Sequence, residues 1–306
     1  MNCVALFSGT SNLALAKEVA RLLGLKLGKL QISRFPDDET YCRFEECVEG
    51  KHVCILQSTC KPGNENLMEL LVVVDAAKHS GASKITVVVP YYGYARQDRQ
   101  SKPGEPVTAA LVAKMLKAAG ANSIITVDLH SKAVEKALKM QKIHLHAYTV
   151  LVDFFRRKKI KNLCVVAPDK GALKNARRFA KLLGAKTAWI EKTRISATEV
   201  KTAQIHGKVK DFDCIILDDI ISTAGTICEG AKLLKRNGAR NVYVAATHGI
   251  FAGEAIKRLN AAPIKEVVVT NTISQDLNKK RLKKLKVVSI AQPLSFAIKK
   301  ISKIEK

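Results

Sequence analysis

Short apolar runs rich in β-branched residues alternate along the whole chain with longer segments in which apolar residues recur every three or four positions. The runs predict buried β-strands, and the longer segments predict amphipathic helices. Strands are predicted at 3–7, 52–57, 84–90, 123–127, 162–167, 186–190, 213–217, 241–245 and 266–270. Helices are predicted at 12–23, 66–79, 106–119, 172–183 and 226–236. This alternation indicates an α/β protein with mostly parallel sheets flanked by helices.

An internal repeat divides the chain into two similar halves. The segment 114–130 resembles 232–248, since each contains the end of a helix, a Gly-Ala turn and a strand. A larger block of strand, loop, helix and strand at 53–90 likewise parallels the block at 214–246. We therefore predict two α/β domains, at 1–145 and 146–306.

Composition restricts the class of protein. Of 306 residues, 47% are hydrophobic and 26% charged, a balance typical of globular proteins. The longest apolar stretch, near 67–77, contains Glu69 and Asp75, so no membrane span is expected. Residues 1–7 lack a charged start and a long apolar core, so no signal peptide is expected. The eight cysteines form no C-x-x-C pair, which argues against a zinc ribbon and favours a reducing cytoplasm.

Charge indicates an anionic partner. The 52 Lys and Arg residues exceed the 27 Asp and Glu residues, which gives a net charge of +25. A positive field of this kind concentrates nucleic acids and phosphorylated metabolites alike.

The segment 214–226, CIILDDIISTAGT, carries the strongest functional signal. Its apolar strand ends in Asp218 and Asp219, and small hydroxylic residues with Gly225 then lead into a helix. In an open parallel sheet this turn lies at the ligand-binding edge. Backbone amides, the helix start and nearby hydroxyl groups can hold a phosphate there. A capped helix would explain the small residues but not the two acids, whose expected partners are sugar hydroxyls or a metal.

This segment is similar to the phosphoribosyl-pyrophosphate loop of type I phosphoribosyltransferases. Its counterpart at 57–64 lacks the acids, so only the second domain is expected to bind the ribose phosphate. Further motifs occur in a specific order: FPDDET at 35–40, PYYGYARQD at 90–98, DLH at 128–130 and THGIF at 247–251. Together they resemble the ribose-phosphate pyrophosphokinase family over nearly the whole chain, with archaeal-like features such as Asp37.

The resemblance implies two tandem type I phosphoribosyltransferase-like domains and a homo-oligomer, either a dimer or a hexamer. It also implies a reaction that uses Mg²⁺, in which the β,γ-pyrophosphoryl group of ATP passes to the C1 hydroxyl of ribose 5-phosphate. The products are phosphoribosyl pyrophosphate and AMP. No Walker loop of the form G-x-x-x-x-G-K-[ST] occurs, so the ATP phosphates must be held in another way.

Site residues follow by position from the same resemblance. The implied ATP-binding residues are Phe35, Asp37, Glu39, Arg96 and Gln97, and the implied metal residues are His130 and Asp169. The implied catalytic residues are Lys192 and Arg194, on a loop that is flexible in the family. The implied ribose 5-phosphate residues are Arg194, Asp218, Asp219, Ser222, Thr223, Ala224, Gly225 and Thr226. Family members place the loop of Phe35 against the neighbouring subunit.

Three other interpretations remain open at this point. A phosphoribosyltransferase that consumes phosphoribosyl pyrophosphate would share 218–226 but would not need Arg96, His130 or Lys192. A non-catalytic regulatory subunit would be expected to have lost such residues. A nucleic-acid binder is suggested by the net charge, but the chain contains no recognised nucleic-acid motif, so we expect no such partner.

The segment 131–138 differs from bacterial and animal members, so regulation by ADP or phosphate is not implied.

Overall fold

Two compact units make up the chain. The structure, a computed structural model, describes residues 4–194 and 200–302, and the side chains of 192–194 and 200–202 lie outside this description. Unit 1 contains the residues up to His146, the segment Thr272–Ser274 and the residues from Ser289 onwards. Unit 2 contains Ala147–Asn271 and Gln275–Val288.

Unit 1 contains a parallel sheet of five strands in the order β1-β4-β5-β6-β7, and β2 and β3 form a separate antiparallel pair. Its strands are β1 (Val4–Ser8), β2 (Leu30–Arg34), β3 (Thr40–Phe44), β4 (His52–Leu56), β5 (Lys84–Val89), β6 (Ser123–Val127) and β7 (Gln141–Leu145). Its helices before residue 146 are α1 (Leu13–Leu23), α2 (Gly63–His79), α3 (Thr108–Ala119) and α4 (Lys132–Ala137).

Unit 2 contains a sheet of seven strands in the order β10-β9-β8-β11-β12-β13-β14, parallel except for β10. Its strands are β8 (Leu163–Ala167), β9 (Lys186–Arg194), β10 (Val200–His206), β11 (Asp213–Ile221), β12 (Asn241–Gly249), β13 (Glu266–Thr270) and β14 (Leu285–Val288). Its helices are α5 (Tyr148–Arg157), α6 (Leu173–Leu183), α7 (Gly225–Arg236), α8 (Ala255–Ala261) and α9 (Asp276–Arg281).

The central strands are buried because helices cover both faces of each sheet. All five residues of β4 and all five of β6 are buried, as expected for strands without a solvent-facing side. In unit 2 two separate apolar clusters lie on the two faces of the sheet. The predicted α/β class with mostly parallel sheets is therefore confirmed.

Local signals fix the helix ends. The Oδ1 of Asn12 accepts a hydrogen bond from the N–H of Leu15 at the start of α1, and Gly24 ends the helix with a φ of 70°. A short polar side chain at the start and a glycine in the left-handed region at the end are the usual helix boundaries. The predicted start of this helix at residue 12 is therefore the capping residue.

The repeat read from the sequence also appears in the topology. The block β4, α2 and β5 places two parallel strands side by side, and so does the block β11, α7 and β12. None of the described helices combines the length and the apolar character needed to cross a bilayer.

The last helix, α10 (Ala291–Ser302), returns to unit 1. It packs against α1, and the hydroxyl of Ser289 just before it donates to Glu18 of α1 at 2.8 Å. The predicted boundary near 145 lies next to the change of unit at His146, but the predicted second domain, 146–306, included this helix. Its periodicity shows that one face is buried and cannot show which sheet it covers.

Candidate functional site

The acidic pair lies inside β11 rather than after it. The sequence placed the end of this strand at Leu217, whereas β11 continues to Ile221 because β12 pairs with it as far as Ile221 opposite Gly249. On the other side, pairing with β8 stops at Ile216 opposite Val166. Asp218 and Asp219 therefore begin where one neighbouring strand has ended, at the carboxyl edge of the sheet.

The backbone of the loop after β11 is oriented by hydrogen bonds to its carbonyl groups. Three consecutive carbonyls accept bonds from the protein: Ser222 from the N–H of Ala252 at 3.0 Å, Thr223 from Nη1 of Arg258 at 3.3 Å and Ala224 from the N–H of Cys228 at 2.9 Å. Within a planar trans peptide the C=O and N–H groups point in opposite directions. The amides of residues 223–225 are therefore directed away from these donors, as an anion-binding turn requires.

Ala224, rather than Gly225, has the unusual backbone conformation of this loop. Ala224 precedes α7 with φ of 60° and ψ of 7°, in the left-handed region, and only 5% of its surface is exposed. A Cβ added to Gly225 would lie 3.5 Å from Nη1 of Arg258, an ordinary contact distance. Strain at a non-glycine residue is typical of functional turns, and the sequence motif had directed attention to the glycine.

Arg258 is a residue that the sequence analysis missed. It lies on α8 and brings its guanidinium to the carbonyl of Thr223, so an additional positive charge lies beside the loop. Nothing in the spacing of 218–226 indicates that Thr223 has a partner 35 residues further along the chain. The THGIF motif at 247–251 directs attention to the segment before α8, but it ends seven residues before Arg258.

Carboxylate groups of unit 2 converge on Asp218. Burial raises the pKa of Asp218 well above its ordinary value, and the adjacent Asp219 and the charge of Asp169 raise it further. Asp169 follows β8 and accepts a hydrogen bond from the N–H of Ala172 at 3.0 Å. An acid whose charge is disfavoured by burial and by two neighbouring acids is suited to a site completed by a cation.

Lys192 and Arg194 belong to the β9–β10 ribbon. Backbone pairing places Lys192 opposite Ala203 and Arg194 opposite Val200. Their side chains, and residues 195–199 between the strands, lie outside the described part of the chain.

The base of this ribbon is held by side chains that the structure does describe. The rings of Trp189 and His206 are stacked with centroids 4.3 Å apart, and Nε2 of His206 lies 2.7 Å from Oε2 of Glu191. This part of the ribbon is therefore tied together directly before the two predicted catalytic residues.

The turn between β2 and β3 carries the first group of predicted ATP residues. Phe35, Asp37 and Glu39 are all exposed, and the ring of Phe35 is 50% exposed. The turn is closed by a hydrogen bond from the N–H of Phe35 to the carbonyl of Glu39 at 2.9 Å. An exposed aromatic ring on a fixed turn is available for stacking.

Arg96 and Gln97 follow β5 on a loop that packs closely against the end of β4. The N–H of Gly93 donates to Oγ1 of Thr59 at 2.6 Å, and a Cβ on Gly93 would lie 2.4 Å from the carbonyl oxygen of Thr59. Gln97 is anchored to α3, because its Oε1 accepts from Oγ1 of Thr108 at 2.5 Å. Arg96 is exposed.

Both groups of predicted ATP residues flank the start of α2. Arg34, next to Phe35, forms an ion pair with Glu65 at 3.2 Å, and the hydroxyl of Tyr94 donates to Asn64. The two segments thus contact adjacent residues of one helix, although Phe35 and Arg96 have no direct contact with each other among the described interactions.

His130 is exposed after the carboxyl end of β6. It belongs to unit 1, whereas Asp169 belongs to unit 2, so the two predicted metal residues are described each within its own unit. Asp128, two residues before His130, has a φ of 39° and lies 3.0 Å from a ring nitrogen of His146.

In unit 1, the side chain of Gln57, the first residue of the 57–64 counterpart loop, is bonded to Glu69 of α2. Oε1 of Glu69 accepts from the N–H of Thr10 and from Nε2 of Gln57, and Oε2 accepts from the hydroxyl of Thr10, each at 2.7 Å. Glu69 is 5% exposed. Because these donors already bond to Glu69, they are not available to a phosphate in this arrangement.

Comparisons with known proteins identify relatives along the whole chain. Residues 4–120 match the model of the N-terminal domain of ribose phosphate pyrophosphokinase, and residues 191–306 match the phosphoribosyl synthetase-associated domain. The chain is 43% identical to the ribose-phosphate pyrophosphokinase of Fusobacterium nucleatum subsp. nucleatum, over 98% of this chain and 96% of the relative. The same values hold for the Aquifex aeolicus enzyme.

A solved structure agrees with the fold. The phosphoribosylpyrophosphate synthetase of Mycobacterium smegmatis superposes with a TM-score of 0.92 at 36% sequence identity, over 99% of this chain and 100% of that chain. This likeness extends to both units and supports the expectation of tandem type I phosphoribosyltransferase-like domains.

Proposed function

The chain belongs to the ribose-phosphate pyrophosphokinase family, and from that premise we propose that it transfers the β,γ-pyrophosphoryl group of ATP to the C1 hydroxyl of ribose 5-phosphate. The products are phosphoribosyl pyrophosphate and AMP. The chain is an enzyme, as its relatives are.

The observation that carries the proposal is the orientation of the loop after β11. Its carbonyl groups are bonded to the protein, so the amides of residues 223–225 are available to the 5-phosphate of the sugar. The hydroxyl groups of Ser222, Thr223 and Thr226 and the start of α7 add donors and a positive dipole. Asp218 and Asp219, on the strand directly before the loop, accept hydrogen bonds from the ribose hydroxyls.

The converging carboxylates fit Mg²⁺, which prefers oxygen ligands and keeps several waters. The family resemblance assigns magnesium contacts to Asp169, which supplies a carboxylate in unit 2, and to His130 of unit 1, and each would contribute from its own unit. When bound, the ion neutralises charge on the phosphate oxygens. The raised pKa of Asp218, caused by burial and by Asp219 and Asp169, is what an acidic site built for a cation predicts.

The ATP side of the reaction belongs to unit 1. The exposed ring of Phe35 offers a face for adenine, and the Gln97 amide offers both a donor and an acceptor for its edge. The Arg96 guanidinium can bind two phosphate oxygens at once. Asp37 and Glu39 lie on the same turn as Phe35 and complete this group.

Lys192 and Arg194 neutralise the charge that develops on the transferred group and on the leaving AMP, and Arg194 also orients the sugar. The attacking group is the sugar hydroxyl, so no covalent intermediate with the protein is needed. Positioning and charge neutralisation carry reactions of this kind.

The family, the net charge and the cysteines indicate the oligomeric state, the attraction of substrates and the cellular compartment. A homo-oligomer, in which the loop of Phe35 borders a neighbouring subunit, would complete the ATP site. The net charge of +25 favours approach of two phosphorylated substrates. The seven described cysteines are free, which fits the cytoplasm.

The test is AMP production from ATP and ribose 5-phosphate by the purified full-length chain. Lys192→Ala is expected to lower kcat by roughly two orders of magnitude, by analogy with the loss of one preorganised donor, while circular dichroism stays unchanged. Wild-type turnover in this variant would remove Lys192 from the mechanism. Product formation that requires an added base instead of ATP would identify a phosphoribosyltransferase and overturn the proposal.

A further inference from the structure

Three metal-ligating side chains of unit 1 converge at the carboxyl ends of β6 and β7. Asp128 directly follows β6, His144 lies near the end of β7, and His146 directly follows β7. The two strands are parallel neighbours, with Val127 opposite Leu145. One ligand atom from each of the three side chains lies within 4.8 Å of the others, so small side-chain rotations would bring all three to within about 2.1 Å of a single ion.

The backbone fixes the carboxylate of this cluster. Asp128 has a φ of 39°, and its N–H donates to the carbonyl of Leu145 at 2.9 Å. Its Oδ1 lies 3.0 Å from Nδ1 of His146. A non-glycine residue held with positive φ at the end of a strand is a feature that clusters at binding sites.

The hydrogen bonds of His144 define its tautomer. The N–H of Leu129 donates to Nε2 of His144 at 2.9 Å, so Nε2 carries the lone pair and Nδ1 carries the proton. Nδ1 faces Oε2 of Glu135, on α4, at 3.6 Å. Metal-bound histidines usually turn their second ring nitrogen towards a carboxylate, which orients the ring, so Glu135 occupies the position of such a partner.

We propose that Asp128, His144 and His146 bind a divalent first-row transition ion, such as Zn²⁺, Co²⁺ or Ni²⁺. Nδ1 of His146, Nε2 of His144 and a carboxylate oxygen of Asp128 are the ligands, with water completing the coordination. On binding, the ion replaces the N–H of Leu129 as the partner of Nε2. Two imidazoles and one carboxylate favour these ions over Mg²⁺, which prefers oxygen.

This site goes beyond the proposed function and uses none of the residues assigned to Mg²⁺. It also belongs wholly to unit 1, in the described residues up to His146. Its presence or absence therefore leaves the proposed pyrophosphoryl transfer undecided, and the two can be tested separately.

The experiment titrates the tag-free, full-length protein with Co²⁺ in the presence of excess Mg²⁺ and follows the visible absorption of the ion. One Co²⁺ per chain is expected, with weaker absorption in two variants, His144→Gln and His146→Gln. Each should lower the affinity by at least about tenfold, as loss of a metal-site partner does. Because His146 is exposed, its variant should fold normally, which thermal unfolding without metal verifies.

Two further variants serve as controls. His206→Gln removes an imidazole that also pairs with a carboxylate, Glu191, but belongs to no cluster of three ligands among the described residues. Asp169→Asn removes a residue assigned to Mg²⁺. Both should bind Co²⁺ like the wild type. Unchanged binding in both His144→Gln and His146→Gln, loss of binding in Asp169→Asn, or the thiolate-to-cobalt bands of cysteine coordination would each overturn the site.

Discussion

The buried side chain of His52 makes the stability of this fold depend on pH. It lies at the start of β4 with 3% of its surface exposed, and its Nε2 lies 2.7 Å from Oγ1 of Thr86. Burial, together with repulsion from Lys84, lowers its pKa from 6.5 to about 4. Well above pH 6.5 the residue is neutral in both the folded and the unfolded chain.

As pH falls from 6.5 towards 4, the unfolded chain takes up the proton first, so stability is lost over this window. The shift corresponds to about 3 kcal/mol of unfolding free energy. We expect His52→Gln to lose less stability than the wild type between pH 7 and pH 4, as measured by urea unfolding. Parallel pH profiles for the two proteins would contradict this account.

Ala224 is a second single residue with a specific role, since it sets the backbone conformation of the loop after β11. Its φ of 60° costs an L-residue with a Cβ about 1 to 2 kcal/mol, and a β-branched residue more. Ala224→Val should therefore lower the unfolding free energy by about 2 kcal/mol and raise the KM for ribose 5-phosphate. Ala224→Gly, the control, should be at least as stable as the wild type. Equal stability of the valine and glycine variants would argue against the left-handed conformation.

Among the secondary-structure elements, α8 supplies the charge that completes the loop after β11. Arg258 donates to the carbonyl of Thr223 and lies beside the start of α7. Arg258→Ala is expected to raise the KM for ribose 5-phosphate by about tenfold, the value of one charge-assisted hydrogen bond. Its neighbour Lys257, whose side chain is 80% exposed and pairs with Glu254, provides the control. A KM that changes equally in Lys257→Ala would indicate a general charge effect.

The bounds of the strands show what hydrophobic patterns in the sequence can predict and what they cannot. Two buried strands, β6 and β13, have the predicted bounds, because an apolar run between turns permits few alternatives. β12 was predicted four residues too short, and β7 and β14 were not predicted. The end of β11 was placed four residues too early because two acids look like the end of a strand. Pairing with β12 continues β11 past Asp218 and Asp219. The residues of 213–221 alone contain no information about the strand that pairs with them.

At the scale of the whole molecule, the C-terminal helix stabilises the unit in which the chain begins. Ile298 of α10 is fully buried, whereas Phe296 on the same helix is 59% exposed. Ile298→Ala should lower the unfolding free energy by about 2 to 5 kcal/mol, because it leaves a cavity in a packed core. Phe296→Ala should change it by less than about 0.5 kcal/mol.

Hydrogen exchange identifies the affected unit. In Ile298→Ala the amides of α1, which α10 contacts, should exchange faster, and those of α6 in unit 2 should keep the wild-type rate. Faster exchange in α6 with no change in α1 would assign the helix to the other unit.

The sequence by itself determined the α/β class and the internal repeat and predicted the phosphate loop at 218–226, since these depend on residues close together in the chain. The patterns that indicate them are local: hydrophobic periodicity, and a strand followed by acids and small residues. They do not depend on which segments pack against them. Only the tertiary structure decided that Arg258 supports the loop, that α10 joins unit 1 and that two histidines at the end of β7 and directly after it meet Asp128. Each of these depends on which segments become neighbours after folding, and that outcome is set by packing between distant parts of the chain.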